Sequence, residues 1–242
     1  MAKLYRRLFD SLPLRAIVER GTGIERGVLA ALVIASFSLW GFGELADALA
    51  EGAVRQFDRL VFGWFQGEHV LSSAKAMEAL RDLTALGSYT VLGLFTLLAC
   101  SYLLLVGKRR AALFVLLAVV GGVLISHGLK MLFDRPRPEL AGRNAQVFSA
   151  SFPSGHSMLS AVVYLTLAAL LARLHEDWRA KAFVFGAAVA VTVAVGFSRV
   201  LLGVHWPTDV LSGWSVGAAW ASLCWAAFLT LQRSGAVEQG NL

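Results

Sequence analysis

The chain has 242 residues and a net charge of +6; 57% of its residues are hydrophobic and only 16% are charged. A soluble domain normally carries about a quarter charged residues, so this composition excludes an ordinary soluble globular protein. The positive charge does not indicate nucleic-acid binding, because no basic stripe interleaved with aromatic side chains accompanies it. Cys100 and Cys224 lie in apolar runs, where cysteines behave as small hydrophobic side chains, and we expect no disulfide.

Six charge-poor windows are long enough to approach the roughly 20 apolar residues that a membrane-spanning helix needs. They predict an all-α, polytopic membrane protein with six transmembrane helices. In chain order, the predicted spans are Gly27 to Gly43, Asp82 to Lys108, Arg110 to Lys130, His156 to Arg173, Lys181 to Arg199, and Asp209 to Arg233.

The spans divide the chain into three parts. Residues 1–26 form a basic segment without the short apolar region of a removable signal peptide. Residues 27–233 are predicted to form the six-helix membrane domain, with an active site within 130–209, and residues 234–242 a short C-terminal tail. The polar stretch from Glu44 to Asp82 is expected outside the bilayer, as amphipathic helices on its surface.

The distribution of Lys and Arg predicts the orientation. Thirteen of the 22 fall in the N-terminal segment and in the loops that would share its side, and nine fall on the other side. Since cytoplasmic loops carry the excess of positive charge, both termini are predicted to be cytoplasmic. The loops after the third and fifth spans then share the extracytoplasmic side.

Three cations stand at the ends of predicted spans: Lys130, Arg137 and Arg199. Each would cost about 2.5–3.5 kcal/mol at the centre of a spanning helix, so we expect them at an interface or around a shared anion. Arginine offers a fork that matches phosphate oxygens, and lysine supplies a point charge. The three residues therefore indicate a phosphate-binding site.

The segment from Pro153 to His156 precedes the fourth span. A proline is tolerated where a helix begins, and the first N–H groups of a helix favour an anion. Ser154 and Gly155 are therefore predicted to help hold phosphate, with Gly155 leaving room for close approach of the backbone.

His205 and Asp209 are four residues apart, a spacing that stacks two side chains on one helix face. Because Pro207 lies between them, the spacing predicts proximity rather than a regular turn. A carboxylate bonded to one imidazole nitrogen raises the nucleophilicity of the other, so His205 is a candidate nucleophile and Asp209 its partner. His156 is a candidate general acid for the leaving group. We see no carboxylate cluster to hold a metal and expect no cofactor.

These motifs resemble those of the type 2 phosphatidic acid phosphatases (PAP2). The three-part signature reads K-x6-R-P from Lys130 to Pro138, P-S-G-H from Pro153 to His156, and S-R-x5-H-x3-D from Ser198 to Asp209. The resemblance implies a membrane enzyme that removes phosphate from a membrane lipid. It implies a phosphohistidine at His205 and acid catalysis by His156. From the compact chain with short loops we expect a bacterial envelope lipid, and hence a multi-pass protein of the bacterial inner membrane; the charge distribution then predicts a site on the periplasmic side. The resemblance further implies phosphate binding by Lys130, Arg137, Ser154, Gly155 and Arg199.

Two other functions stay open on the sequence. The first is a catalytically silent protein that binds or transports lipid phosphates, which the presence of both histidines disfavours. The second is vanadium-dependent haloperoxidase chemistry, which uses a similar site; those enzymes are soluble, and the six spans argue against it. The physiological lipid and the oligomeric state are not predicted; candidate lipids are undecaprenyl diphosphate, phosphatidylglycerol phosphate, phosphatidic acid and a lipid A phosphate.

Several other residues receive lesser interpretations. His127 is predicted to hydrogen-bond a neighbouring helix or to support Lys130 from one turn away. Asp134 and Arg135 are expected to pair with each other or to face solvent. Gly213 and Gly217 form a G-x-x-x-G motif, which favours close helix packing. Arg143 and the Glu44 to Asp82 region are expected to influence which lipid binds.

Overall fold

The computed structural model describes residues 23–66, 74–138 and 150–233. Every regular element in these three ranges is a helix, which confirms the all-α prediction. The α-helices are α1 (Gly23–Ala50), α2 (Val54–Phe65), α3 (Ala74–Ala85), α4 (Tyr89–Leu105), α5 (Arg109–Phe133), α6 (Gly155–Leu171), α7 (Trp178–Leu201) and α8 (Pro207–Arg233), with a 3-10 turn at Ala172–Leu174.

Five of the described helices are long and apolar enough to cross a membrane: α1, α5, α6 with its 3-10 extension, α7 and α8. The pair α3 and α4 makes a sixth if it counts as one span, with a bend of 42° between its halves. The predicted second span began at Asp82, but the apolar helix begins at Tyr89. Ser88 caps this helix by accepting a hydrogen bond from the Val91 amide, so the chain turns there and a new helix starts.

α6 is the most buried of the spans and forms the centre of the bundle. It packs against α5, α7 and α8, while α1 packs mainly along α8. Large apolar side chains elsewhere point outward; Leu105 and Phe183 are 86% and 76% exposed. An outward-facing apolar surface is stable in lipid rather than in water, which agrees with the membrane class.

The G-x-x-x-G motif lies where α8 crosses α6. A Cβ atom at Gly213 would lie 2.6 Å from the Ser154 carbonyl oxygen, and one at Gly217 would lie 2.5 Å from that of Met158. Only glycine permits this approach, because the neighbouring atoms belong to backbone. The predicted close packing is confirmed, and it joins α8 to the beginning of α6.

The polar stretch from Glu44 to Asp82 contains the end of α1, α2 and most of α3; residues 67–73 lie outside the described ranges. α2 is amphipathic and contacts α1, α7 and α8. Phe57, Leu60 and Trp64 on α2 are exposed, whereas Val54 and Asp58 on its inner face are buried. An exposed apolar face of this kind suits a helix at a bilayer interface.

Candidate active site

The residues that the sequence predicts to bind phosphate or to act in catalysis lie at one end of the bundle. Lys130 lies in the last turn of α5. Ser154 caps α6, and Gly155 and His156 begin its first turn. Arg199 lies in the last turn of α7, His205 in the connection that follows it, and Asp209 in the first turn of α8. Since alternate helix ends meet at the same face of an antiparallel bundle, residues separated by up to 79 positions become neighbours.

His205 is 2% exposed and has a distinct partner at each ring nitrogen. Nδ1 lies 3.3 Å from Asp209 Oδ2, and Nε2 lies 3.1 Å from Arg137 Nη1. A guanidinium only donates hydrogen bonds, so Nε2 must accept and the ring proton must lie on Nδ1. The site therefore holds the imidazole in the tautomer that leaves the Nε2 lone pair available for chemistry.

Burial also keeps this ring neutral. The pKa of His205 is lowered to about 3, chiefly by desolvation; Arg137 and Arg199 also lower this pKa, while Asp209 acts in the opposite direction. A protonated imidazole has no lone pair at Nε2. The environment thus favours the neutral form that a nucleophile needs.

Asp209 is fully buried, and several donors hold its carboxylate. Oδ2 accepts hydrogen bonds from the Ser151 hydroxyl and, at 2.9 Å, from the Trp206 amide. Oδ1 accepts one from Arg135 Nη1 at 2.6 Å. These bonds leave the carboxylate little freedom, so it orients His205 in one direction.

The three predicted phosphate-binding cations gather around the histidines. Lys130 Nζ donates to the Ala150 carbonyl at 2.7 Å, and Arg137 Nη1 to the Val204 carbonyl at 2.8 Å. Arg199 Nη1 donates to Thr84 Oγ1 at 3.0 Å, while its Nε is buried and has no hydrogen-bond partner within the described ranges. A buried N–H without a partner is costly, which makes it a natural donor to a bound anion.

Ser154 begins α6 as its N-cap. Its hydroxyl accepts a hydrogen bond from Ser157 Oγ at 3.0 Å and faces the Ser157 amide at 3.5 Å. Its own amide donates to the Asp209 carbonyl at 2.9 Å, which ties the start of α6 to the start of α8. The positive end of α6 thereby lies beside the His205–Asp209 pair.

Packing does not explain the glycine at position 155, in contrast to Gly213 and Gly217 of α8. A Cβ at this position would meet Ser126 Oγ at 3.5 Å and Lys130 Cε at 3.6 Å, which are ordinary van der Waals distances. Protein packing therefore does not require a glycine here.

His156 is half-buried in the first turn of α6. It is close enough to Arg199, His205 and Arg137 to interact with them electrostatically. A Cβ at Gly87 would lie 3.3 Å from the His156 Cβ, so the turn between α3 and α4 packs against this histidine. All eight predicted site residues thus lie at the same end of the bundle.

Sequence reasoning missed three members of the site: Asp58, Arg135 and Thr208. The expectation that Arg135 pairs with Asp134 or faces solvent is wrong, because its guanidinium binds Asp58 at 2.5 Å and Asp209 at 2.6 Å. Asp134 adopts a left-handed conformation (φ 32°) at the end of α5, and the chain then turns Arg135 inward. One signal was present in the sequence: Asp58 occupies the otherwise apolar face of an amphipathic helix.

Other candidates have a looser relation to the site. The His127 ring is exposed and stacks near Tyr89, with 6.3 Å between ring centroids, rather than supporting Lys130. Arg143 lies outside the described residues, as do residues 1–22 and the C-terminal tail.

The PAP2 superfamily model matches residues 111–233, about half of the chain. A solved structure, the transmembrane PAP2-type phosphatidylglycerolphosphate phosphatase from Bacillus subtilis, superposes with a TM-score of 0.70 at 30% identity. That match covers 78% of this chain and 93% of the other. The chain belongs to the PAP2 superfamily.

Curated relatives resemble shorter stretches of the chain. Phosphatidylglycerophosphatase B of Bacillus subtilis (strain 168) is 44% identical over 96 residues, which is 39% of this chain and 46% of that protein. Undecaprenyl-diphosphatase of Sulfolobus acidocaldarius is 38% identical over 82 residues, 34% of this chain and 32% of that protein. The chain therefore spans less than half the length of these two curated relatives.

Proposed function

We propose that this protein is an integral membrane lipid phosphatase. It hydrolyses a phosphate monoester or diphosphate of a membrane lipid, without a metal, through a phosphohistidine at His205. The observation that carries the proposal is the His205 ring itself: Nδ1 faces Asp209, and Nε2 faces an arginine whose fork matches phosphate.

The reaction has two steps. In the first, the His205 Nε2 lone pair attacks phosphorus, the P–O bond to the lipid breaks, and His156 donates a proton to the leaving oxygen. In the second, His156 takes a proton from water, the water oxygen bonds to phosphorus, and the P–N bond breaks to release phosphate. Asp209 stabilises the charge that develops on the imidazole during the first step.

The cations supply the electrostatic part of catalysis. Charge on a transferred phosphoryl group spreads over its three equatorial oxygens. Lys130, Arg137 and Arg199, with the N–H groups at the start of α6, would bind these oxygens. A substrate phosphate would take over the Arg137 hydrogen bond that the ring Nε2 accepts at 3.1 Å, which frees the lone pair for attack.

The relatives narrow the substrates that should be tested first. One solved relative is a phosphatidylglycerolphosphate phosphatase, and curated relatives include a phosphatidylglycerophosphatase and an undecaprenyl-diphosphatase. We place phosphatidylglycerol phosphate and undecaprenyl diphosphate at the head of the panel, followed by phosphatidic acid and a lipid A phosphate. Each presents a phosphate group at the bilayer interface.

We further propose a bacterial inner-membrane location with the site on the periplasmic side. The far end of the bundle carries Lys108, Arg109, Arg110, Arg173, Arg179, Lys181 and Arg233. Cytoplasmic loops are rich in Lys and Arg, which supports a cytoplasmic position for that end and for both termini.

The test measures phosphate release from the four lipids in detergent, with EDTA present. We expect release by the wild type and at least about a thousandfold less by His205→Ala, in line with the loss of other catalytic nucleophiles. His156→Ala should slow lipids with poor leaving groups most. Acid-labile phosphoenzyme should form in the wild type and be absent from His205→Ala.

Two results would contradict the proposal. Phosphoenzyme that persists in His205→Ala would exclude that residue as nucleophile. A folded wild-type protein that binds these lipids but releases no phosphate would support a silent binding or transport protein instead.

A further inference from the structure

Asp58 is an acidic residue that the catalytic proposal does not use. It lies on α2, outside the residues matched by the family model, and it is 1% exposed. An ionised carboxylate is expensive to bury unless other groups pair with it and bond to it. Its contacts therefore indicate why the chain keeps an acid at this position.

Both carboxylate oxygens of Asp58 accept hydrogen bonds from the beginning of α8. Oδ1 accepts a hydrogen bond from the Thr208 amide at 3.0 Å, and Oδ2 accepts one from Thr208 Oγ1 at 2.7 Å. The Thr208 amide is one of the first N–H groups of α8, which have no partner within the helix. Asp58 thus acts as an N-terminal cap supplied by another helix.

Asp58 also binds the arginine that holds Asp209. Arg135 Nη2 lies 2.5 Å from Asp58 Oδ2, and Arg135 Nη1 lies 2.6 Å from Asp209 Oδ1. Thr208 Oγ1 accepts a further bond from Arg135 at 2.9 Å. One guanidinium therefore bridges two buried carboxylates, and both of its terminal nitrogens are used.

The charges of this cluster matter for the neighbouring imidazole. Asp58, Arg135 and Asp209 together carry one net negative charge when the two acids are ionised. Without Asp58, the Arg135–Asp209 pair would be neutral. Attack by His205 Nε2 on phosphorus leaves positive charge on a ring whose Nδ1 is already protonated, so a net negative neighbour stabilises that state.

We infer that Asp58 is a positioning residue for the His205–Asp209 pair. It orients Arg135 and the first turn of α8, and it leaves net negative charge beside His205. The inference rests on the proposed function and deepens it, because it assigns α2 a part in the same reaction. α2 also carries the exposed apolar residues Phe57, Leu60 and Trp64, a surface suited to a bilayer interface.

The principal variant is Asp58→Asn, which preserves size but removes the charge. Asp47→Asn makes the same chemical change at an exposed acid near the end of α1 and is the matched control. For Asp58→Asn we expect kcat to fall by about 10- to 100-fold with KM within about threefold, as for other groups that orient a functional imidazole. Asp47→Asn should match the wild type.

A second readout does not depend on turnover. The side-chain ¹⁵N resonances of His205, assigned by their loss in His205→Ala, report its hydrogen bonds in detergent. Asp58→Asn should shift these resonances, because Asp209 and Arg135 would reorganise, whereas Asp47→Asn should leave them unmoved. Thr208→Val, which removes the hydroxyl between Asp58 and Arg135, should shift them in a protein whose Asp58 is intact.

The outcomes separate this inference from the proposed function. A wild type that turns over, with Asp58→Asn equal to it in kcat and in the His205 resonances, would overturn the inference alone. A wild type that releases no phosphate would contradict the proposed function, and the resonance shift would then decide whether Asp58 orients the ring. A thermal unfolding scan of each variant excludes misfolding; if Asp58→Asn unfolds, Thr208→Val decides by the same resonances.

Discussion

At the scale of single residues, burial determines what each polar side chain of the site can do. Arg137 is drawn out of water and burial lowers its pKa, yet Asp209 acts in the opposite direction. An arginine stays protonated in such a place, and here it faces a ring nitrogen that must accept. The contact with Arg137 thus assigns the tautomer of His205, which cannot be predicted from the spacing of residues in the sequence.

The lowered pKa of His205 predicts how stability depends on pH. The folded state binds the proton of this ring only near pH 3, whereas the unfolded chain binds it near the ordinary value of 6.5. Between these values the unfolded state binds more protons, so the stabilisation present above pH 6.5 is lost as pH falls. Thermal unfolding temperatures in detergent should therefore drop between pH 7 and pH 5.

The control for this prediction is His205→Asn, whose side chain does not titrate. Its unfolding temperature should fall less steeply over the same pH interval, while the other histidines titrate alike in both proteins. If the unfolding temperatures of the two proteins fell equally with pH, the pKa of His205 would not differ between the folded and unfolded states, which would contradict the prediction.

At the scale of elements, the site depends on how closely α8 and α6 approach each other. The Ser154 amide donates to the Asp209 carbonyl, and Gly213 lies against the Ser154 carbonyl on the same face. The contact brings the cap of α6 and the His205–Asp209 pair together. A helix–helix crossing therefore sets the spacing between the phosphate-binding end of α6 and His205.

Gly213→Ala should destabilise the protein and also lower activity. Its Cβ would lie 2.6 Å from a backbone oxygen that cannot rotate away, so the two helices must separate. Overpacking of this kind costs about 1–3 kcal/mol, measurable as a lower midpoint of unfolding in detergent.

Gly128→Ala is the matched control for this change. It lies within α5, and its Cβ would meet no atom within 4 Å. Alanine forms helix better than glycine by about 1 kcal/mol, so this variant should be as stable as the wild type or more so. Equal stability of both alanine variants would contradict the close crossing.

At the scale of the whole molecule, the lysines and arginines of α5 to α8 form two groups that lie at opposite ends of the bundle. Lys130, Arg137 and Arg199 lie with the histidines at one end, and the remaining cations of α5 to α8 lie at the other, except Arg135, which the two buried acids hold. The three site cations and Arg135 have a chemical reason to lie at the first end. When they are set aside, the excess of positive charge at the second end is larger, and that excess is the orientation signal. The site end is then the periplasmic one in our proposal.

Thiol labelling in intact bacterial cells tests this orientation. In a chain whose Cys100 and Cys224 are replaced by serine, Ala53→Cys at the site end should react with a membrane-impermeant maleimide. Arg109→Cys at the far end should react only after the cells are opened, because it would face the cytoplasm. The reverse pattern would place the site in the cytoplasm.

Much of this protein could be predicted from its sequence, since the relevant signals are local. Apolar windows of sufficient length predict spanning helices, because the bilayer requires every backbone group to be paired within its own helix. Short motifs around Lys130, Ser154 and His205 predicted which residues carry the chemistry. The resemblance then grouped motifs that lie far apart along the chain.

Only the tertiary structure decided how those residues are held. Asp58 and Asp209 share one arginine across 151 positions of chain, and the local sequence around Arg135 favoured Asp134 as its partner. The crossing at Gly213 likewise depends on a neighbour from another helix. The physical reason is that propensity and hydrophobic patterning act over a few residues, whereas the partner of a buried charge is selected by packing between distant segments.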